Sequence, residues 1–359
     1  MKTASFITIH VGFNFGSKLQ AIATFEILKN VGYNPICVNY IPSRVTYKRY
    51  WKEAIVNPIK FLWRLIYFPI YLITRRNFDG YLKKHCNMSK PFYAEDSFSE
   101  KCPKADVYIS GSDQIWNSIH NEGCDKHYFF DGIDGEKIAF ASSIGMSSLP
   151  INYASYMKKA LSSYKAISVR EFSAIGLLND LGIKATHVLD PTLMLTKEEW
   201  CKFATKRLVK TKYLFVYLPY NIKDKELVYR TARRIANKKR LKIIAYSDNI
   251  IKDRFADKTI YFVSPGDVLS LIMHAEVVVT NSFHGTAFSI NLNKQFWVYM
   301  PTSFSTRISS ILDLCQLNNR LLVEEISDEQ ISYVIDFKLT NAILQQERNK
   351  SYDFLTKSL

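Results

Sequence analysis

Glycine and proline are scarce, at 13 and 11 of 359 residues, which excludes collagen-like and low-complexity chains. No two of the six cysteines (37, 86, 102, 124, 201 and 315) stand in a CxxC pair, so neither a zinc ribbon nor a thioredoxin-like site is supported. GxGxxG, P-loop, HExxH and EF-hand spacings are all missing, as is a Ser-His-Asp order. No paired acidic motif of the divalent-metal nucleotide-sugar type stands out, so neither metal nor cofactor is expected. No apolar run reaches the roughly 20 residues that cross a bilayer. The amino end lacks a signal-peptide core, because Lys2 is followed by Phe6-Ile7-Thr8-Ile9-His10-Val11, which reads as a first strand. Scattered thiols without a leader read as reduced cysteines in a cytosolic protein.

Apolar residues make up 47% of the chain and aromatic residues 14%, ample to build a core without staples. The length suggests two domains. Net charge is +15, which favours anionic partners. The excess is concentrated: residues 44–90 hold eleven Lys or Arg against Glu53 and Asp79, a balance of +9, together with ten Tyr, Trp or Phe. Basic residues with Trp and Tyr on a helix fit an element lying on anionic lipid at the inner face of a membrane. The plainer alternative is a helical excursion packed on the body of the protein, its charges solvated. No nucleic-acid module accompanies the charge, so nucleic acid is not an expected partner.

Elsewhere strand-like and helix-like segments alternate. Strands are expected over 5–11, 36–40, 106–110, 137–142, 166–170 and 185–190, with helices over 17–31 and 171–180. A basic linker is expected over 196–212. The pattern then restarts, with strands over 213–218, 242–246 and 276–280 and helices over 223–238 and 265–274, and another helix from about 284. Residues 327–358 read as one or two helices. Apolar strands separated by helices mean parallel sheets covered on both faces, so the expected fold class is α/β with two such domains. Ligands then bind beyond the carboxyl ends of the strands.

Three segments fall at such ends. Asn14-Phe15-Gly16-Ser17-Lys18 follows the first strand and opens a helix, where backbone N–H groups attract anions. Ser112-Asp113-Gln114-Ile115-Trp116-Asn117 offers polar groups for sugar hydroxyls and an indole to stack on a pyranose, or it is turn chemistry with a helix cap. Ser282-Phe283-His284-Gly285-Thr286 runs from a buried strand into a helix whose N–H and hydroxyl groups suit a phosphate, with His284 able to act as acid or base near neutral pH.

Taken in order, NFGSKLQAIA, DVYISGSDQIWN, ASSIG, ISVREFSA, VLDPTLML, VVVTNSFHGTAFSINL and STRISSILDLCQL resemble the polysaccharide pyruvyltransferase family over residues 10–320. The resemblance implies a GT-B-like fold: two Rossmann-like domains facing a cleft. The N-terminal domain would span 1–200, with the basic insertion at 44–90. The C-terminal domain would span 210–326, and helices over 327–359 would cross back. It implies phosphoenolpyruvate as donor and a sugar acceptor, on a polyprenyl diphosphate carrier, that receives a cyclic pyruvate ketal. By resemblance Arg170 matches the donor-binding arginine and His284 the catalytic histidine, brought together by domain closure. Ser282, Phe283, Gly285 and Thr286 join them on the donor side, and Asn14, Phe15, Gly16, Lys18, Ser112, Asp113, Gln114, Trp116 and Asn117 on the acceptor side. Some members carry Arg two residues before the histidine, where this chain has Ser282. Arg307 is the expected replacement cation, ahead of Lys18. The same fold would also suit a glycosyltransferase using a nucleotide sugar, and a membrane-associated scaffold without turnover stays open as a third reading.

Overall fold

The computed structural model describes residues 1–359 except 56, 248–249 and 303–305, and except the side chains of 53 and 54. The chain divides into two compact units, Met1–Met194 with Glu347–Leu359, and Leu195–Gln346.

Unit 1 runs β1 (Thr3–Ile7), α1 (Phe15–Asn30), β2 (Asn34–Cys37), β3 (Tyr40–Ile41), α2 (Tyr47–Ile55), α3 (Pro58–His85), β4 (Phe92–Tyr93), α4 (Phe98–Lys101), β5 (Val107–Ser110), β6 (Glu136–Ser142), α5 (Ile151–Leu161), β7 (Ala166–Val169), α6 (Phe172–Asp180), β8 (Thr186–His187) and α7 (Pro191–Met194). Its main sheet is parallel throughout, in the order β2-β1-β5-β6-β7-β8. The order reverses between β1 and β5, which opens a crevice at their carboxyl ends. Asn14 starts α1 by accepting from Gly16 N at 2.9 Å and Ser17 N at 3.3 Å. Gly12, at φ +89°, lets the chain leave β1 sharply before that cap.

Unit 2 runs α8 (Lys197–Trp200), β9 (Tyr213–Tyr217), α9 (Lys225–Lys239), β10 (Lys242–Ser247), β11 (Lys258–Tyr261), α10 (Pro265–His274), β12 (Val277–Thr280), α11 (Phe283–Asn291), β13 (Gln295–Tyr299), α12 (Thr306–Leu314), β14 (Leu321–Leu322), α13 (Asp328–Ser332) and α14 (Lys338–Ser358), the last of which ends in unit 1. The parallel order β11-β10-β9-β12-β13-β14 is the 3-2-1-4-5-6 order of a Rossmann sheet, reversing between β9 and β12. Ser264 and Asp267 form a reciprocal capping box at the head of α10.

Several boundaries differ from the sequence expectation. The first strand stops at Ile7, because Thr8 turns its hydroxyl to Ser112 O at 2.6 Å instead of continuing the ladder. The units meet at Met194/Leu195, ahead of the basic segment 196–212, because α7 packs on α1 within unit 1. Residues 327–346 stay with unit 2, and only 347–359 belong to unit 1.

Candidate functional site

In unit 1 the reversal point is filled by the 111–117 segment. Asp113 sits at φ +68°, a conformation that strains a residue with a side chain. Its carboxylate accepts from Gln114 N at 2.9 Å and from Arg170 Nη2 at 3.1 Å. Asn117 Nδ2 donates to Gln114 Oε1 at 2.7 Å, and its Oδ1 accepts from the N–H groups of Ile119 and His120. Trp116 is fully buried and stacks on Phe129 at 5.7 Å. The expected sugar-stacking indole is therefore a core residue, and Asn117 is a turn residue. Ser112, also fully buried, bonds Asp190 at 3.2 Å.

Arg170 leaves β7 into the same network. Its side chain is wholly buried and meets three carboxylates: Asp190, Asp113, and Glu171 at 3.8 Å. Burial works against the Arg170 charge, yet Asp190, Asp113 and Glu171 outweigh it and hold its pKa above the usual arginine value. Glu171 in turn collects Ser143 Oγ and the N–H groups of Ile144 and Gly145 at 2.8–3.0 Å. One cation facing three acids presents no vacant fork to an anionic donor. Arg170 thereby ties Asp113 to β7 and to Asp190, contacts that the donor grip expected of it did not include. Sequence spacing gave no sign of Asp190 and Glu171 as its partners.

The head of α1 is also mostly interior. Phe15, Gly16 and Lys18 are buried, and Asn14 uses its side chain as the cap. Lys18 Nζ holds Asp79 at 2.6 Å, which Arg75 also reaches at 3.3 Å. Burial opposes charge on Asp79, but Lys18 and Arg75 prevail and keep its carboxyl below the ordinary range. Lys18 is accordingly a buried counter-ion, not a substrate-facing cation. The surface beside it is a pocket of about 220 Å³ lined by Gly12 and Phe13, the guanidinium residues Arg44, Arg49 and Arg75, and Tyr50 and Tyr71. A neighbouring hollow of about 360 Å³ shares Arg44 and is lined by Tyr40, Asp125 and His127. There Tyr40 donates to Asp125 at 2.8 Å, Asp125 holds His127 Nδ1 at 2.8 Å, and the Tyr40 and His127 rings stack at 4.2 Å. Neither lining was anticipated residue by residue. The Arg and Tyr cluster of 44–75 and the Asp-x-His spacing at 125–127 were the available signals.

In unit 2 the reversal point is built by β12 and α11. Thr280 donates to Tyr217 O at 2.8 Å and accepts from Ser282 N at 3.1 Å, which fixes the strand-to-helix turn. A Cβ at position 285 would lie 2.4 Å from Thr280 Oγ1, so only glycine fits there. Ser282 caps α11 through Gly285 N at 3.3 Å, and the Thr286 hydroxyl bonds Ser282 O at 2.9 Å. Those two hydroxyls hold the turn. His284 and Arg307 are both 3% exposed and both contact Phe283, the imidazole at 5.1 Å and the guanidinium at 5.5 Å from that ring. The structure thus brings Ser282, Phe283, His284, Gly285, Thr286 and Arg307 together, although Ser305, which opens the motif carrying Arg307, lies outside the described residues. Among the described residues no group of three or more His, Cys, Asp or Glu is arranged to hold a metal ion.

The architecture has solved counterparts. S. aureus MnaA, solved with UDP, superposes with a TM-score of 0.53 at 10% identity over 100% of this chain and 91% of that one. HepE of Anabaena, solved with UDP and glucose, gives 0.52 at 8% over 99% of each chain. The UDP-GlcNAc 2-epimerase of Methanocaldococcus jannaschii, solved with UDP-GlcNAc and UDP, gives 0.52 at 13% over 99% of each. At such identities the likeness establishes the fold alone, two Rossmann-like units of GT-B type. No curated protein sequence matches the chain. The profile of the polysaccharide pyruvyl transferases, however, matches residues 14–302, from the cap of α1 through the His284 turn and almost to Arg307, and the chain therefore belongs to the polysaccharide pyruvyl transferase family.

Proposed function

We propose that the chain transfers the pyruvyl group of phosphoenolpyruvate to two hydroxyls of one sugar, forming a cyclic ketal and releasing phosphate. The observation that carries this reading is the meeting of His284 and Arg307 at the Phe283 ring, beside the reversal point of the unit 2 sheet. A proton goes to the methylene carbon of the donor and leaves cationic character on the carbon bearing the phosphate. One sugar hydroxyl adds there and gives up its proton. The bond to phosphate then breaks, phosphate leaves with the electron pair, and the second hydroxyl adds to the same carbon and gives up its proton, closing the ring.

His284 is assigned the proton transfer to carbon, since an imidazole is partly protonated near neutral pH. Arg307 is assigned the carboxylate or phosphate of the donor, which its planar fork matches. The amino end of α11 has no acid in its first turn and adds favourable potential for an anion. Asp113, held by Arg170, is assigned a hydroxyl of the acceptor. The Arg44, Arg49 and Arg75 pocket is assigned the phosphate of an acceptor on a polyprenyl diphosphate carrier.

The solved neighbours that hold UDP favour one second reading, a transferase using a nucleotide sugar. Incubation with phosphoenolpyruvate and a panel of sugar acceptors separates the two. Ketal formation with equimolar phosphate release is expected. Release of UDP from a UDP-sugar, with phosphoenolpyruvate inert, would overturn the proposal. His284→Gln is expected to lower turnover by about 10²–10⁴ with folding intact. Arg307→Lys is expected to raise the KM for phosphoenolpyruvate about tenfold or more, from loss of the bidentate grip.

A further inference from the structure

We infer that the outward face of α3 lies in the surface of an anionic bilayer. This goes beyond the transfer reaction and does not depend on it. Along α3 the residues Ile59, Leu62, Trp63, Ile66 and Ile73 recur at helical spacing and are 47–70% exposed. From Ile59 to Ile73 this stripe runs roughly 21 Å at the α-helical rise. The opposite side of the same helix is occupied. The Arg64 guanidinium lies 4.6 Å over Tyr50 and that of Arg75 lies 4.2 Å over Tyr47, Tyr71 packs 4.8 Å from Tyr50, and Phe78 and Leu82 are buried. These two guanidinium groups turn inward onto rings, so the expectation that the excursion's charges are simply solvated holds only for its outer residues. A helix anchored by one face and leaving an uninterrupted apolar stripe on the other needs a cover for that stripe.

Charge selects the cover. Lys60 and Arg76 of α3 are exposed, as are Lys48 and Lys52 of α2, and the 44–90 segment carries +9. Of its acids, Asp79 is already paired with Lys18 and Arg75. A second copy of the chain would bring a like-charged +9 surface against this one. Anionic headgroups complement it, while the apolar stripe enters the acyl boundary. No helix among the described residues is long and apolar enough to cross a membrane, so the element lies in the plane of the surface.

The test uses the full chain with vesicles of phosphatidylcholine alone or mixed with phosphatidylglycerol, by co-sedimentation at low and high salt. Binding to the mixed vesicles, weakened by salt, with blue-shifted tryptophan emission, is expected. Leu62→Ser with Ile66→Ser alters two exposed side chains and leaves the inner face alone. It is expected to weaken binding about 100-fold, since burial of each such side chain is worth about tenfold or more. Lys48→Gln with Lys52→Gln and Lys60→Gln is the second variant, expected to weaken binding and its salt dependence while unfolding stays unchanged. No binding to mixed vesicles at low salt overturns the inference. So does equal binding by the Ser variant, and so does concentration-dependent dimerisation that the Ser variant abolishes while vesicles stay unbound.

Discussion

Arg170→Met is the substitution that best separates a charge-balancing role from a donor-binding one. Methionine keeps much of the volume but leaves Asp113, Asp190 and Glu171 facing one another, with side chains 10%, 1% and 1% exposed. Removing one partner of a buried ion pair costs about 3–5 kcal/mol. Against a usual total of about 5–15 kcal/mol, that is a large share of the stability of unit 1. Unit 1 has 207 residues, 194 plus 13, and at that size each kcal/mol moves Tm by about 2–4 °C, so a drop of roughly 6–20 °C is expected. Calorimetry at neutral pH measures it. Adding Asp190→Asn to the Met variant is expected to recover part of the loss, because one uncompensated charge is gone. Arg170→Lys is expected to fall between, since an ammonium cannot reach Asp190 and Asp113 together. If Arg170→Met melts within about 2 °C of the parent while the KM for phosphoenolpyruvate rises steeply, the guanidinium is a donor ligand and the balancing role is wrong.

Other expectations follow from single contacts. Gly285→Ala forces a Cβ onto Thr280 Oγ1, itself held by Tyr217 O, and is expected to cost about 1–3 kcal/mol in chemical unfolding; an unchanged midpoint would show that the turn gives way. His10 is buried, and that burial, aided by nearby Lys18, lowers its pKa from 6.5 to about 4, so it is neutral in the folded chain. Its stabilisation is whole above pH 6.5 and fades as pH falls toward 4, by about 2 kcal/mol at pH 5. His10→Gln is expected to flatten that slope, and parallel pH curves for the two proteins would sink the assignment. Asp79→Asn is expected to strip hydrogen-exchange protection from α3 at neutral pH, because Lys18 loses its partner. The lowered Asp79 carboxyl means that the parent loses the same support only in acid, below the ordinary carboxylate pKa of about 4.

The sequence was most legible where local signals are self-sufficient. The helix over Pro265–His274 was visible from Ser264 and Asp267, and the strand over Val277–Thr280 from its unbroken apolar run. Strands β11 and β13 escaped notice: Lys258–Tyr261 is short, with one residue of four buried, and Gln295–Tyr299 follows α11 after only three residues. At the site, His284 and Arg307 were legible as residue types, and the Phe283 ring that both contact shows how they meet. Trp116 was misread because polar neighbours surround it in sequence, whereas in space Phe129 does. The partners of Arg170 were missed for the same reason. Asp190 is 20 positions away in sequence and reaches it only because β8 pairs beside β7.

The C-terminal segment 347–359 has a consequence for synthesis. Ser351 Oγ accepts from Leu189 N at 2.9 Å, Arg348 bonds Leu193 O at 2.8 Å, and Tyr33 bonds Leu359 O at 3.1 Å. Unit 2 is thus threaded into unit 1 as an insertion, and a ribosome emits the whole of it before the strap that finishes unit 1 emerges. Domains usually complete themselves in the order they are made. Here the half that is begun first is closed last: a chain ending at residue 346 holds all six strands of the unit 1 sheet but lacks the helical segment that bonds Leu189, Leu193 and Tyr33.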